Sequence, residues 1–133
     1  LARTHHVVAP PLDLSAMAHA AARVVGTFDF RAFQSAGATV ASTVRTVTGV
    51  DFGVRPAADL GLQLTDTERI VELEIRGEGF LRHMVRAIAG TLLDVGYGRR
   101  TPDDMDRLLA GAPRSEAGPT APAHGLTLVD VVY

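Results

Sequence analysis

A chain of 133 residues is long enough for one domain with its own core, and 47% hydrophobic against 21% charged residues is a globular composition. No apolar run approaches the ~20 residues that a bilayer span needs, and no signal-peptide pattern opens the chain. Cysteine is absent, which excludes disulfides and thiolate metal sites and suits a cytoplasmic protein. A formal charge of −2 is not the footprint of a free-standing nucleic-acid binder. All 13 basic residues are nevertheless arginine, and Arg69, Arg76, Arg82, Arg86, Arg99 and Arg100 crowd into residues 69–100. Arginine is the better bidentate phosphate partner; arginine-rich codon usage explains the missing lysines equally well.

The elements read as follows in chain order. Leu1-Ala2-Arg3-Thr4 is expected to be a chain entered in mid-sequence, and residues 4–9 form a short strand stopped by Pro10-Pro11. Asp13 caps a helix in which Leu14, Met17, Ala21 and Val24/Val25 recur at helical spacing, with Gly26 ending it. Residues 27–40 have no clean period and read as an ordered loop. Val44, Val47, Val50 and Phe52 among threonines make a β-rich stretch. Residues 53–67 are polar, with turn chemistry at Gly53, Pro56, Gly61 and Asp66. Ile70, Glu72 and Glu74 then alternate with Val71, Leu73 and Ile75, which predicts a strand over 69–76 with one wet face, paired antiparallel with 44–52. Arg76-Gly77-Glu78-Gly79 turns into a helix over 80–95, stopped at Gly96-Tyr97-Gly98. Thr101-Pro102 opens a short helix over 103–109 with acids in its first turn. Residues 111–123 are a proline-rich loop, and Leu126, Leu128, Val129, Val131 and Val132 close the chain as a strand. The expected fold is α+β, an antiparallel sheet with helices packed on one face.

The helix over 80–95 carries the most information. Leu81, Met84, Val85, Ile88, Leu92 and Val95 form one apolar stripe for packing on the sheet. Arg86 lies off that stripe, yet its neighbours Ala89, Gly90 and Leu93 are small or apolar, unlike a solvated face. Arginine keeps its proton, and a desolvated guanidinium needs a carboxylate or phosphate. Positions 82, 83, 89 and 90 supply no acid, so a partner has to come from elsewhere in the fold or from another segment. The alternative is a surface arginine beside small residues.

Other chemistries find little support. Gly77-Glu78-Gly79 lacks the third glycine of a dinucleotide-binding turn, since Arg82 stands there, and no parallel βαβ unit follows. His5, His6, His19, His83 and His124 show no metal-ligand spacing with acids, and His83 reads as an exposed helix residue. Ser15, Ser35, Ser42 and Ser115 lack the flanking glycines of a nucleophile elbow.

Three ordered segments resemble the TruA family of tRNA pseudouridine synthases. They are Gly26-Thr27-Phe28-Asp29-Phe30-Arg31-Ala32-Phe33 with Ser42–Val47; Gly79-Phe80-Leu81-Arg82-His83-Met84-Val85-Arg86 with Ile88–Gly96; and Ala117–Val129. The resemblance implies the C-terminal half of the pseudouridine synthase fold over residues 1–133. It implies isomerisation of uridine to pseudouridine in the tRNA anticodon stem-loop, without metal or organic cofactor, by a homodimer. The family's catalytic aspartate lies in a Gly-Arg-Thr-Asp-x-Gly-Val-His segment of the N-terminal half, and these 133 residues contain no such segment. Its base-stacking tyrosine also belongs upstream; neither Tyr97 nor Tyr133 takes its place. The resemblance assigns Arg86 as the partner of the catalytic aspartate and Leu126 as the residue packing on the target base. It places Phe28, Asp29, Arg31, Phe33, Arg45, Arg82 and His83 toward the RNA. The partners it implies are tRNA and the N-terminal half of the same polypeptide, with no membrane. A non-catalytic RNA-binding or dimerisation domain descended from the same family is the alternative.

Overall fold

In a computed structural model of the chain, residues 2–3, 5–7, 13–35, 40–56, 69–119 and 127–128 are described. The elements are β1 (Ala2–Arg3), β2 (His5–Val7), α1 (Leu14–Ala22), β3 (Gly26–Asp29), β4 (Val44–Pro56), β5 (Arg69–Gly77), α2 (Met84–Gly96), α3 (Asp104–Leu108) and β6 (Thr127–Leu128). Short 3-10 turns occupy Arg31–Phe33 and Arg114–Glu116. The predicted α+β class holds, with every strand pairing antiparallel.

The long β4–β5 ladder is the framework, running from Val47↔Gly77 to Pro56↔Arg69. β3 continues the sheet beyond β4, and β1 and β2 follow one another along the other edge of β5, with β6 outside β1. Alternation sorts the two faces. Leu73 and Ile75 are buried, with Phe52 and Val50 opposite them on β4 and packed against the same core. Asp51, opposite Glu74, faces the other way, where Arg76 donates from Nη1 to Asp51 Oδ2 (2.6 Å) and to Glu74 Oε1 (2.8 Å). Like charges directly opposite would repel; the guanidinium between them removes that cost. Its hydrogen bond to Asp51, then that to Glu74, raises Arg76 above the usual arginine range. Gly49, across from Arg76, leaves room for this, since a Cβ there would stand 2.5 Å from Arg76 Nη2.

The helices cover the apolar face. Met17, Ala20 and Ala21 of α1 and Met84, Ile88 and Leu92 of α2 join Val47, Leu73 and Ile75 in one core. Each fully buried large side chain there is worth about 1.5–3 kcal/mol. Asp13 caps α1 as its sequence position predicts, accepting from Ala16 N–H at 3.0 Å. Its own N–H donates to Gly96 O (2.8 Å), tying the start of α1 to the end of α2.

Several boundaries move. α1 ends at Ala22, and Gly26, at φ +135°, opens β3 instead of ending the helix. Residues 27–29, expected as loop, belong to that strand; four residues at a sheet edge are too few to show a period. β4 runs on to Pro56, because a proline that ends a strand forfeits little of the ladder. α2 begins at Met84 instead of residue 80, because Gly79 (φ +86°) and His83 (φ +61°) both sit in the left-handed region. α3 is shorter than 103–109 by a residue at each end. The closing strand is described only at Thr127–Leu128, and Thr4, Val8, Ala9 and Leu126 lie outside the described residues.

Candidate functional site

The site is built where β5 turns into α2. At Gly77 the chain passes so close to β4 that a Cβ would stand 2.6 Å from Thr46 O, the same carbonyl that accepts from Glu78 N–H at 3.0 Å. Only glycine tolerates that approach. Leu81 is buried and acts as the anchor, and Met84 N–H closes the turn on Leu81 O at 3.0 Å. With the anchor inside, the two residues after it point out: Arg82 and His83 are exposed. His83 is exposed as expected, in a left-handed turn residue just ahead of the helix.

Arg86 follows in the first turn of α2. It is half-buried, between the fully packed stripe and the exposed turn, and it is engaged in an interaction within the fold. Its neighbours Ala89 and Gly90 are buried. The expectation that this second face of α2 packs on something is met by Gly118. Gly118 lies against it so closely that a Cβ would fall 2.8 Å from Thr91 Cα and 3.1 Å from Gly90 O.

A second segment abuts the same turn. Asp29 ends β3 and gathers three pieces of chain. Its Oδ1 accepts from Arg31 N–H (3.1 Å) and from the Thr43 hydroxyl (2.5 Å), while its own N–H donates to Leu109 O (3.2 Å). Gly111, at φ +99°, faces the same carboxylate. The 3-10 turn after Asp29 buries Ala32 and Phe33 and leaves Arg31 exposed. Ser35 N–H then donates to Arg82 O at 2.9 Å, so the segment of Arg31 is bonded to the segment of Arg82 and His83.

The other residues assigned from sequence are placed as follows. Phe28 and Arg45 are cross-strand partners on β3 and β4. Phe28 is half-buried and packs edge-on against Phe30, ring centroids 6.1 Å apart. Arg45 bends back on its own strand, donating to Ser42 O (2.8 Å) and Val44 O (2.7 Å). Phe33, at 0% exposure, is a core residue; a side chain so enclosed supports the surface above it and does not itself reach a ligand.

Most of the arginine cluster is occupied. Arg76 is held by its two acids. Arg99 lies over the Tyr97 ring, 4.9 Å from its centroid, and 3.4 Å from Asp94. Arg100 pairs with Asp104 (2.8 Å), approaches Asp94 (3.6 Å) and donates to Glu116 O (3.0 Å). These side chains hold the fold. Sequence reasoning weighed Ser35 only as a nucleophile and singled out neither Thr91 nor Gly118: the first acts through its backbone, and the other two look ordinary until their contacts are seen. Among the described residues no group of histidine and acidic side chains is placed to hold a metal, and no helix is long and apolar enough to cross a membrane.

The profile of the family described as tRNA pseudouridine synthase matches residues 20–133. Among curated proteins, the chain is 44% identical to tRNA pseudouridine synthase A of Syntrophotalea carbinolica over 122 residues, which is 92% of this chain and 44% of that protein. It is 43% identical to the protein of the same name from Acetivibrio thermocellus over 131 residues, 98% of this chain and 48% of that protein. For the Shouchella clausii protein of that name the identity is 48% over 122 residues, covering 92% and 42%. The chain thus spans less than half the length of these relatives. With the match extending across all of α2 and the Asp29 segment, the chain belongs to the tRNA pseudouridine synthase family.

Proposed function

We propose that this chain is the C-terminal half of an enzyme that isomerises uridine to pseudouridine in the anticodon stem-loop of tRNA, working without metal or organic cofactor in the cytoplasm. The observation that carries the reading is Arg86, half-buried at the start of α2 within the family match. Arg86 pairs with a catalytic aspartate supplied by the N-terminal half of the polypeptide. A carboxylate that attacks carbon has to be ionised and fixed, and a neighbouring guanidinium does both. Leu126 packs against the flipped uracil, offsetting part of the few kcal/mol, roughly, that leaving the base stack costs. Arg31, Arg82 and His83 hold tRNA phosphates from the exposed turn, with Phe28 and Arg45 beside them; such contacts position the RNA and read its shape. Phe33 contributes by supporting Arg31 from the core.

In the complete protein, Arg86→Ala is expected to lower kcat by about a hundredfold or more, the scale of losing one oriented charge-stabilising group. The Kd for tRNA should stay nearly unchanged. An equally active variant refutes the pairing. The 133-residue chain by itself should form no pseudouridine, and any turnover would reveal a nucleophile other than the upstream aspartate. The homodimer is tested by size-exclusion chromatography at several concentrations, where a strict monomer counts against it.

A further inference from the structure

We propose that Thr91 is a positioning residue of the site, docking the 114–119 loop onto the face of α2 that bears Arg86. The inference rests on the reading of Arg86 above. Thr91 is fully buried, and its hydroxyl makes two bonds at once: it donates to Ala87 O at 2.8 Å and accepts from Gly118 N–H at 3.0 Å. One proton and two lone pairs allow both. Residues four apart share a strip of helix surface, so Arg86, Gly90 and Asp94 lie in one row. Gly118 meets that row directly, since a Cβ on it would fall 3.1 Å from Gly90 O and 2.8 Å from Asp94 Oδ2. The loop therefore packs on Arg86's own strip, beginning one turn beyond it.

The loop's outer side is equally held. Arg114 donates to Gly118 O (2.7 Å), Arg100 to Glu116 O (3.0 Å) and Arg107 to Glu116 Oε1 (2.6 Å). Arg100 and Arg107 tie the loop to the α3 segment, Arg114 closes the loop on itself, and the Thr91 hydroxyl bonds it to α2. Without that hydroxyl, the buried Gly118 N–H loses its acceptor and the loop has to shift to find another. The strip next to Arg86 then repacks, and the guanidinium loses its fixed bearing toward the reacting carboxylate.

Thr91→Val removes the hydroxyl at nearly constant shape, and Thr91→Ser keeps it. In the complete protein we expect Thr91→Val to lower kcat by about ten- to a hundredfold, the scale of a misplacement of about 1 Å, with the Kd for tRNA unchanged. Thr91→Ser should recover most of the loss. A purely structural role would lower the melting temperature of Thr91→Val and leave kcat per folded molecule intact, and that result overturns the proposal. A serine variant as slow as the valine variant overturns it too. Should Thr91→Val fail to fold, Gly118→Ala asks the same question by pushing the loop off the helix, and full turnover there is equally fatal. Arg86→Ala measured alongside separates the two ideas. If it is inactive while Thr91→Val turns over normally, only the positioning role fails; if it is active, the pairing fails and the inference with it.

Discussion

Two groups of arginines in this chain meet different ends. Around α3, Arg100, Arg107 and Arg114 are tied to Asp94, Asp104, Glu116 and nearby carbonyls, and together they bind α2, α3 and the 114–119 loop into one block. At the turn before α2, Arg82 is exposed, with exposed Arg31 on the adjoining segment; Arg86, in the first turn of α2, is half-buried and engaged within the fold. The residue type is the same in both places. What differs is the supply of acids: Asp94, Asp104 and Glu116 serve the first group, while residues 79–93 contain none. Density of arginine along a sequence therefore says little about RNA contact until the local acids are set against it.

Removing the support beneath the exposed group should do more damage than removing any charge. Phe33 is fully buried, tilted against Phe30 at 6.1 Å between centroids, under the turn that presents Arg31. Phe33→Ala is expected to cost about 3–5 kcal/mol of stability, the usual range for a phenylalanine cut from a core. Urea denaturation measures it. A loss below about 0.5 kcal/mol, the range of an ordinary surface change, would mean that Phe33 is free to move out toward a ligand and that its assignment to the core is wrong.

The tied group comes next in size. The Arg100 side chain is 17% exposed and that of Asp94 12% exposed, so neither is well hydrated. Arg100→Ala leaves Asp94 with the more exposed Arg99, Asp104 with Arg107, and Glu116 O without its donor. A cost of about 1–3 kcal/mol follows from stranding partly buried polar groups. The surviving contacts keep it below the roughly 3–5 kcal/mol of a fully broken buried pair. Activity at a temperature where the variant is folded should change little, and a specific loss of turnover would move Arg100 into the other group.

How much of this was legible beforehand depended on the range of the signal. The alternation over residues 70–75 and the stripe from Leu81 to Val95 are local and repeated, so the β4–β5 ladder and the buried face of α2 follow from the sequence. Asp13 was readable as a cap because capping needs only its own neighbours. The β3 strand was not, because four edge residues carry no period and its pairing with Val44–Val47 is settled across the chain. The helix start was misplaced for a similar reason: the left-handed turn at His83 is imposed by the Leu81 anchor and by the bond from Ser35 to Arg82 O, neither of which is a property of residues 80–83 alone. The small residues beside Arg86 signalled a packed second face; that Gly118 fills it required the loop's path. Helical spacing drew attention to Arg86, while its pairing role and the choice of Leu126 came only from the family motifs.

The smallest effect on stability is also the sharpest test of the comparison. Arg82 is exposed and closes no contact of the core, so Arg82→Ala should change stability by no more than about 0.5 kcal/mol. If Arg82 meets a tRNA phosphate, the same variant binds more weakly at every salt concentration. The slope of log K against log salt should then fall by about one, as expected when one phosphate contact is lost. Arg76 provides the contrast, because it is just as cationic and comparably accessible but already neutralised by Asp51 and Glu74. Arg76→Ala should leave the slope where it was. Equal changes in the two variants would mean that RNA responds to the summed charge of this surface, and the division between tied and presented arginines would then lose its functional meaning.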